Sequence, residues 1–383
     1  MKSTRLNLAA VLAASMLAAC GGGDSRPAFS SMVSFGDSLS DVGSYKVGTI
    51  AAVGGGEYTV NGPTARNWTE LVAPELRMAA PCPAQTGLLA NIPGFEGAPV
   101  ANHPECSNYA QGSSRVSNPY TLYAAALQGA PFNEVNLGLM ATPLSTQMAT
   151  HLARAAGAYS GSEVVTVMAG GNDLFMHLNA IASAPAGGPQ AVGAALAAGW
   201  PAEVQSTVAA GGDAAAAAAV SAGLSGMAQA GAELAALVKT QVLAKGASHV
   251  AVLNLPDVSQ TPFGMSVDVQ TRTLIAGMVT AFNGQLQAGL AGTPVLLLDA
   301  FSLSQDFQAN PAKYGIGNTT TPACSTTSPA NPLQGRSLGC TAASTVVADT
   351  GGYLYADEVH PTPLGHRLYA RYVIDQMRSA GWL

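Results

Sequence analysis

The stretch Ser31-Met32-Val33-Ser34-Phe35-Gly36-Asp37-Ser38 points most directly to the architecture of this chain. It begins as a short apolar segment, Ser31–Phe35, and ends in a glycine, an acid and a serine. In α/β proteins ligands bind at the carboxyl ends of parallel strands, so such a turn would present the Ser38 hydroxyl at the mouth of a sheet. Ser38 is therefore a candidate nucleophile, although a Gly-Asp-Ser sequence taken alone is more often a simple turn.

Further apolar runs, which lack strict alternation, are typical of buried parallel strands; they are Glu163–Met168, His249–Leu255 and Pro294–Leu298. Helical patterns are found over Leu234–Leu243, Thr271–Leu290 and Pro363–Met377. The last of these has Thr362 as its N-cap and a proline at its first position. Strands that alternate with helices predict an α/β fold, in which a parallel sheet carries helices on both faces.

Composition excludes several classes of protein. Of the 383 residues, 48% are hydrophobic and 10% are charged, against about 25% charged in a typical soluble domain. Disorder driven by charge is therefore excluded. The 16 Lys and Arg against 22 Asp and Glu give a net charge of -6, so we expect no nucleic-acid partner.

No linker and no repeat of fixed period divides the chain, so residues 30–383 are predicted to form a single domain. Loop-rich insertions are expected within it near residues 54–106, 181–231 and 305–350. The central insertion is rich in Ala and Gly and includes the run Ala214–Ala219. We interpret it as either a helical lid or a mobile insertion.

The N-terminus has the features of an export signal. Basic residues precede the apolar run Leu8–Ala19, which is shorter than the roughly 20 residues that a membrane span needs. The sequence Leu17-Ala18-Ala19-Cys20, followed by glycines, resembles a bacterial lipoprotein signal, in which the cysteine receives the lipid. We assign residues 1–19 to the signal peptide, Cys20 to lipidation and residues 20–29 to a tether. The alternative is an ordinary signal peptide that contains a cysteine.

This interpretation predicts an exported protein. We expect an outer-membrane lipoprotein that faces the periplasm or the cell surface, held to the membrane by an N-terminal lipid anchor, or otherwise a secreted protein. The expected oligomeric state is a monomer.

The cysteines agree with export. Apart from Cys20 there are four, an even number that allows three pairings. We favour Cys82–Cys106 and Cys324–Cys340, because each bond would close a long loop and contribute roughly 3 kcal/mol by limiting the unfolded chain. Free thiols do not suit an oxidising compartment, and a zinc site would need shorter spacings.

Two other short motifs carry side chains suited to catalysis. Gly170-Gly171-Asn172-Asp173 follows a predicted strand, and the amide of Asn172 can donate two hydrogen bonds. Near the C-terminus, Asp357 precedes His360 by three residues, so its carboxylate can reach the imidazole and orient it. Each motif alone could be a turn or a structural histidine. Together with Ser38 they supply a nucleophile, a base with its orienting acid and an amide donor.

The motifs resemble those of the SGNH/GDSL hydrolase family. Four blocks are found in the family's order and span nearly the whole mature chain: Gly36–Ser40, Asn108–Gly112, Gly170–Asp173 and Asp357–His360. The sequence departs from the pattern at Ser113, where many members have a second glycine. It departs again at Val42-Gly43-Ser44, where many relatives have Thr-Gly-Asn.

The resemblance implies a flavodoxin-like, three-layer αβα sandwich and ester hydrolysis without a cofactor or metal. It implies that Ser38 is the nucleophile, His360 the base and Asp357 its orienting acid. Gly112 and Asn172 match the family's oxyanion donors. The remaining acids and histidines are expected to be structural; Asp37, Asp173 and His366 are the nearest to the motifs.

The expected function is cleavage of carboxylic esters through a covalent acyl-enzyme, of the lipase, esterase or lysophospholipase type, with lipid esters among the candidate substrates. Since the base must be unprotonated, the rate should fall at acid pH. The alternatives are an acyltransferase that uses the same residues, a carbohydrate deacetylase and a surface-binding lipoprotein without activity. The residues do not choose among acyl and alcohol groups.

Overall fold

A computed structural model describes residues 27–90, 92, 94–128, 131–132 and 137–383. The expected signal peptide, Cys20 and most of the tether lie outside the described residues. In the described part of the chain the strands are β1 (Ser31–Gly36), β2 (Gln85–Leu88), β3 (Ala98–Asn102), β4 (Glu163–Met168), β5 (His249–Leu253) and β6 (Leu296–Leu298). The α-helices there are α1 (Gly48–Ala52), α2 (Trp68–Val72), α3 (Leu144–Arg154), α4 (Gly171–Ser183), α5 (Gly188–Ala198), α6 (Ala202–Ala210), α7 (Gly212–Leu237), α8 (Pro262–Ser266), α9 (Val269–Leu290), α10 (Ala300–Ala309) and α11 (Pro363–Ser379).

A parallel sheet organises the fold, with the strand order β1-β4-β5-β6. On the outer side of β1, a parallel bridge joins Ser34 to Asn108, which belongs to the second sequence block. This irregular segment takes the place that a further edge strand has in flavodoxin-like sheets. The predicted α/β class is confirmed. The predictions for the last two strands were too long, since β5 ends at Leu253 and β6 begins at Leu296.

Successive residues of a strand point to opposite faces of the sheet, and helices cover both faces. On one face, Val33 and Val165 belong to a buried cluster with residues of α3, α7 and α9. On the other face, Met32 and Val164 belong to a second cluster, with residues of α2, α10 and α11. The three layers explain why the strands are continuous apolar runs, since neither face is left to water.

The Ala/Gly-rich stretch at 181–231 corrects the expectation of a loop-rich insertion, because it is largely helical. It includes the end of α4, then α5 and α6, and the first part of α7. Alanine has the highest helix propensity of all residues, which favours helix even where the apolar pattern is weak. These helices share a small core of alanines around Trp200 and Val208. The stretch is therefore helical, whereas a lid function and mobility both stay predictions.

The other two insertions are held by disulfide bonds. The favoured pairings, Cys82–Cys106 and Cys324–Cys340, are both present, with Cα–Cα distances of 5.1 and 5.9 Å. Residues 54–106 contain the antiparallel hairpin β2–β3 and the helix α2. Residues 305–350 consist mainly of turns after α10 ends.

None of the described helices is long and apolar enough to cross a membrane.

Arg115 connects the helical region 181–231 to the loops at the edge of the sheet. Its guanidinium donates to the Asp173 carboxylate at 2.8 Å and to the carbonyls of Ala197 and Ala198 at 2.9 and 3.1 Å. Both charged side chains are only 4% exposed. Asp173 also accepts the backbone N–H of Val116 at 3.1 Å. Asp173 thus has the bracing role that was expected of it.

We predict that Arg115→Ala lowers the free energy of unfolding by about 3–5 kcal/mol, because it leaves the Asp173 carboxylate buried without its charged partner. The matched control is Arg378→Ala, which removes exposed ion pairs with Glu75 and Asp375 and should cost less than about 1 kcal/mol. Urea unfolding followed by circular dichroism measures both. Equal losses in the two variants would contradict the prediction.

Candidate active site

The turn after β1 delivers Ser38 to the carboxyl end of the sheet. Gly36, the last residue of β1, lies so close to β4 that a Cβ there would be 2.6 Å from the Met168 carbonyl oxygen. Only glycine permits this approach without displacing the backbone. The backbone N–H of Asp37 donates to the same carbonyl at 3.3 Å. Ser38 follows directly and is 6% exposed.

Ser38, His360 and Asp357 come together, although most of the chain separates the serine from the other two. The Ser38 Oγ lies 2.8 Å from the His360 Nε2. On the other side of the ring, His360 Nδ1 lies 2.8 Å from Asp357 Oδ2 and 2.9 Å from Oδ1. A carboxylate at Nδ1 fixes the tautomer in which Nε2 can accept the serine proton.

The local sequence explains how Asp357 holds His360. The backbone N–H groups of Val359 and His360 donate to Asp357 Oδ1 at 3.0 and 2.8 Å, and Ser337 N–H donates to Oδ2 at 2.8 Å. Burial alone would raise the pKa of Asp357, but the charge on His360 and these donors hold it well below its usual range. The Asp357 carboxylate therefore stays ionised while it is bonded to the His360 imidazole.

Asn172 lies in the first turn of α4, close to the second block. Its Nδ2 donates to the carbonyl of Ser114 at 3.0 Å. An amide NH₂ has two donors, so one N–H remains for a ligand. In the described part of the chain, no hydrogen bond is made by the backbone N–H of Ser38. These two N–H groups follow the carboxyl ends of the adjacent strands β4 and β1.

Gly112 differs from its expected role as an oxyanion donor. Its N–H donates to Asp41 Oδ2 at 2.9 Å, while Asp41 Oδ1 accepts from Gly43 and Ser44. Asp41 is fully buried, and a buried carboxylate requires such donors. The Gly112 N–H is thus engaged in this conformation.

The departure at Ser113 has a structural counterpart. Its backbone has φ +67°, in the left-handed region where glycine is favoured. A side chain in this region costs roughly 1–2 kcal/mol. The turn thus keeps a backbone conformation that glycine favours, and Ser113 is strained in it.

Several groups in the site were missed by the sequence interpretation. Gln147 of α3 bonds both backbone groups of Gly36, accepting from its N–H at 3.0 Å and donating to its carbonyl at 2.9 Å. Tyr58 packs its ring against that of His360, with centroids 4.8 Å apart. Ser337 supplies the N–H to Asp357. Of these three residues, only Gln147 had a signal in the sequence, as a glutamine on an apolar helix face. Tyr58 and Ser337 lie in loops without a recognisable motif.

His366 lies behind this group on α11 and is buried. Burial lowers its pKa to about 4, so it is neutral near pH 7. Its Nε2 lies 3.5 Å from the Tyr58 carbonyl, and its ring takes no part in the contacts between Ser38 and His360. Among the described residues, no group of three or more His, Cys, Asp or Glu side chains could hold a metal ion.

Comparison with known proteins shows similarity to one family over most of the chain. A model of the GDSL-like lipase/acylhydrolase family matches residues 32–373. Two GDSL esterase/lipases of Arabidopsis thaliana are 29% identical over 148 residues and 30% identical over 99 residues. These alignments cover 35% and 26% of this chain and only 38% and 26% of the two plant proteins.

A solved structure is also similar. It is an extracellular lipase from Streptomyces rimosus, which is 13% identical to this chain with a TM-score of 0.37. The alignment covers 91% of this chain and 99% of the lipase.

Asp37 yields a prediction on stability. Burial raises its pKa to about 7, against the opposing effects of the Leu39 N–H and of His360. Since the folded state holds the proton more tightly than the unfolded chain, stability from this group is present below about pH 4 and is lost as the pH rises to about 7. Asp37→Asn cannot ionise and keeps an oxygen for Leu39 N–H. It should therefore gain about 4 kcal/mol over the wild type between pH 4 and 8.

Urea unfolding at pH 4, 6 and 8 measures this difference. Asp213→Asn, which removes the same charge from an exposed position, is the control and should show no such gain. A difference between Asp37→Asn and the wild type that stays constant with pH would refute the prediction.

Proposed function

The chain belongs to the GDSL-like lipase/acylhydrolase family, and we propose that it cleaves carboxylic esters through a covalent acyl-enzyme formed on Ser38. The family supports ester hydrolysis in general. The observation that carries the proposal is the pair of contacts on the His360 ring. Its Nε2 lies 2.8 Å from the Ser38 Oγ, while its Nδ1 is held by the Asp357 carboxylate.

In the first half of the proposed reaction, His360 Nε2 takes the proton of Ser38 as the Oγ attacks the ester carbonyl carbon. The tetrahedral intermediate then collapses, and His360 returns the proton to the departing alcohol. In the second half, His360 takes a proton from water, whose oxygen attacks the acyl carbon. The acid is released and the proton returns to Ser38. Asp357 stays ionised throughout and stabilises the imidazolium.

Negative charge on the carbonyl oxygen needs donors that are in place before the reaction. We assign this role to the backbone N–H of Ser38 and to the second N–H of the Asn172 side chain. The Gly112 N–H is not included, since Asp41 accepts it at 2.9 Å. Gly112 instead helps to fix the second block against the first.

We further propose that the substrates are acyl esters, with lipid esters as candidates, and that the protein acts outside the cytoplasm. The two disulfides support an exported protein, because such bonds persist in oxidising compartments. Lipidation of Cys20 would anchor the enzyme to a membrane. The proposed oligomeric state is a monomer. Mass spectrometry of the mature N-terminus tests the lipid anchor directly.

Ser38→Ala should reduce hydrolysis of p-nitrophenyl esters to the background rate, because Ser38 carries the only hydroxyl bonded to the His360 ring among the residues that the structure describes. A fluorophosphonate probe should label the wild type and not this variant. Ser40→Ala is the matched control: its hydroxyl lies in the same loop and makes no hydrogen bond, so activity and labelling should persist. Wild-type activity in Ser38→Ala would exclude the proposed nucleophile.

Product analysis with an added alcohol accompanies this experiment. Free acid as the main product supports hydrolysis, whereas transfer of the acyl group to the alcohol as the main product would favour an acyltransferase. Absence of both labelling and turnover in the wild type would favour a binding protein.

Asn172→Ala should lower kcat by roughly 10²–10³-fold, the usual effect of losing one oxyanion donor. The value of KM should change little, since the charge develops only in the transition state. Asn179→Ala, an exposed asparagine on the same helix, is the control and should behave like the wild type. Steady-state kinetics with a soluble aryl ester measures both. A drop in kcat of less than tenfold for Asn172→Ala would remove this residue from the oxyanion site.

A further inference from the structure

The Asp357 carboxylate is supported from outside its own turn. Ser337 lies 20 residues before Asp357 and donates its backbone N–H to Oδ2 at 2.8 Å. Ser337 is fully buried, and the segment that contains it ends at Cys340, which is bonded to Cys324. The position of the Ser337–Cys340 segment therefore determines whether this donor reaches the acid.

The His360 ring is supported from a different part of the chain. Tyr58 places its ring 4.8 Å from that of His360 and is only 8% exposed. It also lies against the second block, since a Cβ on Gly112 would come within 2 Å of the Tyr58 hydroxyl. Tyr58 thus fills the space between His360 and Gly112 and limits rotation of the imidazole. The loop 57–61 carries Tyr58.

One side chain joins these two supports. Asn61 is 8% exposed, and its Nδ2 lies within hydrogen-bond distance of two carbonyls in each segment. The distances are 3.0 Å to Ser337 and to Cys340, and 2.9 and 3.1 Å to Glu57 and Thr59. Its Oδ1 accepts the N–H of Glu57 at 2.9 Å.

The backbone adds a further bond between the same segments. The Asn61 N–H donates to the Cys340 carbonyl at 2.8 Å. This bond survives any change of side chain, so a substitution at position 61 loosens the junction without separating the segments entirely. The primary amide is well suited to the position, because it offers donors to the carbonyls on both sides and an acceptor to Glu57 N–H.

We propose that Asn61 is a positioning residue for the acid–base pair, acting on Asp357 through Ser337 and on His360 through Tyr58. It does not contact the reacting atoms. The inference rests on the proposed function, because it concerns the alignment of His360 with Ser38. Loss of the amide lets the two supports shift relative to each other, and small shifts of reacting groups can cost about 10²-fold in rate.

The test compares Asn61→Ala with Asn283→Ala. Asn283 lies on α9, is partly buried and uses its amide in two backbone hydrogen bonds, both with Leu255. It has no bond to the 57–61 loop or to the segment that contains Ser337. Both variants should lose comparable stability in urea unfolding. At a temperature well below both unfolding midpoints, Asn61→Ala should lower kcat by about 10–100-fold with KM within about twofold. Asn283→Ala should keep kcat within about twofold.

Two more variants test the inference if Asn61→Ala does not fold. Asn61→Ser keeps one donor and should have a kcat between those of Asn61→Ala and the wild type. Tyr58→Leu leaves the Asn61 amide in place and removes the ring from His360, so it should lower kcat by about tenfold. Wild-type kcat in both Asn61→Ser and Tyr58→Leu, or equal kcat in Asn61→Ala and Asn283→Ala, would overturn the inference. Activity that persists in Ser38→Ala would instead overturn the proposed function.

Discussion

A buried, ionised carboxylate imposes the strongest constraint on this structure. Asp357 is removed from water, and an isolated charge in such a place would be prohibitively costly. It is stable because His360 and three backbone N–H groups converge on its two oxygens. One of these donors comes from another segment of the chain. The need to satisfy one charge therefore fixes the loop that precedes α11 and the loop that packs over it.

The insertions into the α/β framework serve this constraint. The sheet alone delivers Ser38 and Asn172 to one edge, since both follow the carboxyl ends of adjacent strands. It does not hold the turn that contains Asp357 and His360. That turn is buttressed by two regions with little regular structure, one carrying Tyr58 and the other carrying Ser337. The region of Ser337 is closed by the Cys324–Cys340 disulfide, which limits the entropy cost of ordering a long loop.

Much of this arrangement could be predicted from the sequence, and the remainder could not, for a physical reason. Buried parallel strands and short motifs are local patterns, so Ser38, Asn172 and the Asp357–His360 pair were recognisable, as was the α/β class. Cysteine spacing was enough to choose the disulfide pairings. The helical nature of 181–231 was left open because its alanines give weak periodicity, so propensity and packing decide it. Asn61, Tyr58 and Ser337 act through contacts between distant loops, which no local pattern records.

The two departures from the family's motifs differ in what they change in the structure. At Val42-Gly43-Ser44, Asp41 Oδ1 accepts the backbone N–H groups of Gly43 and Ser44, and the Ser44 hydroxyl donates to the Ala110 carbonyl in the second block at 3.1 Å. Burial raises the pKa of Asp41 to about 6, against the opposing effect of these donors and of Gly112 N–H. The side chain at position 44 therefore connects this turn to the second block. At Ser113 the backbone itself has a conformation that favours glycine, so the substitution carries a cost in strain. The two positions therefore restrict their residues in different ways, Ser44 through a side-chain hydrogen bond and Ser113 through a backbone conformation.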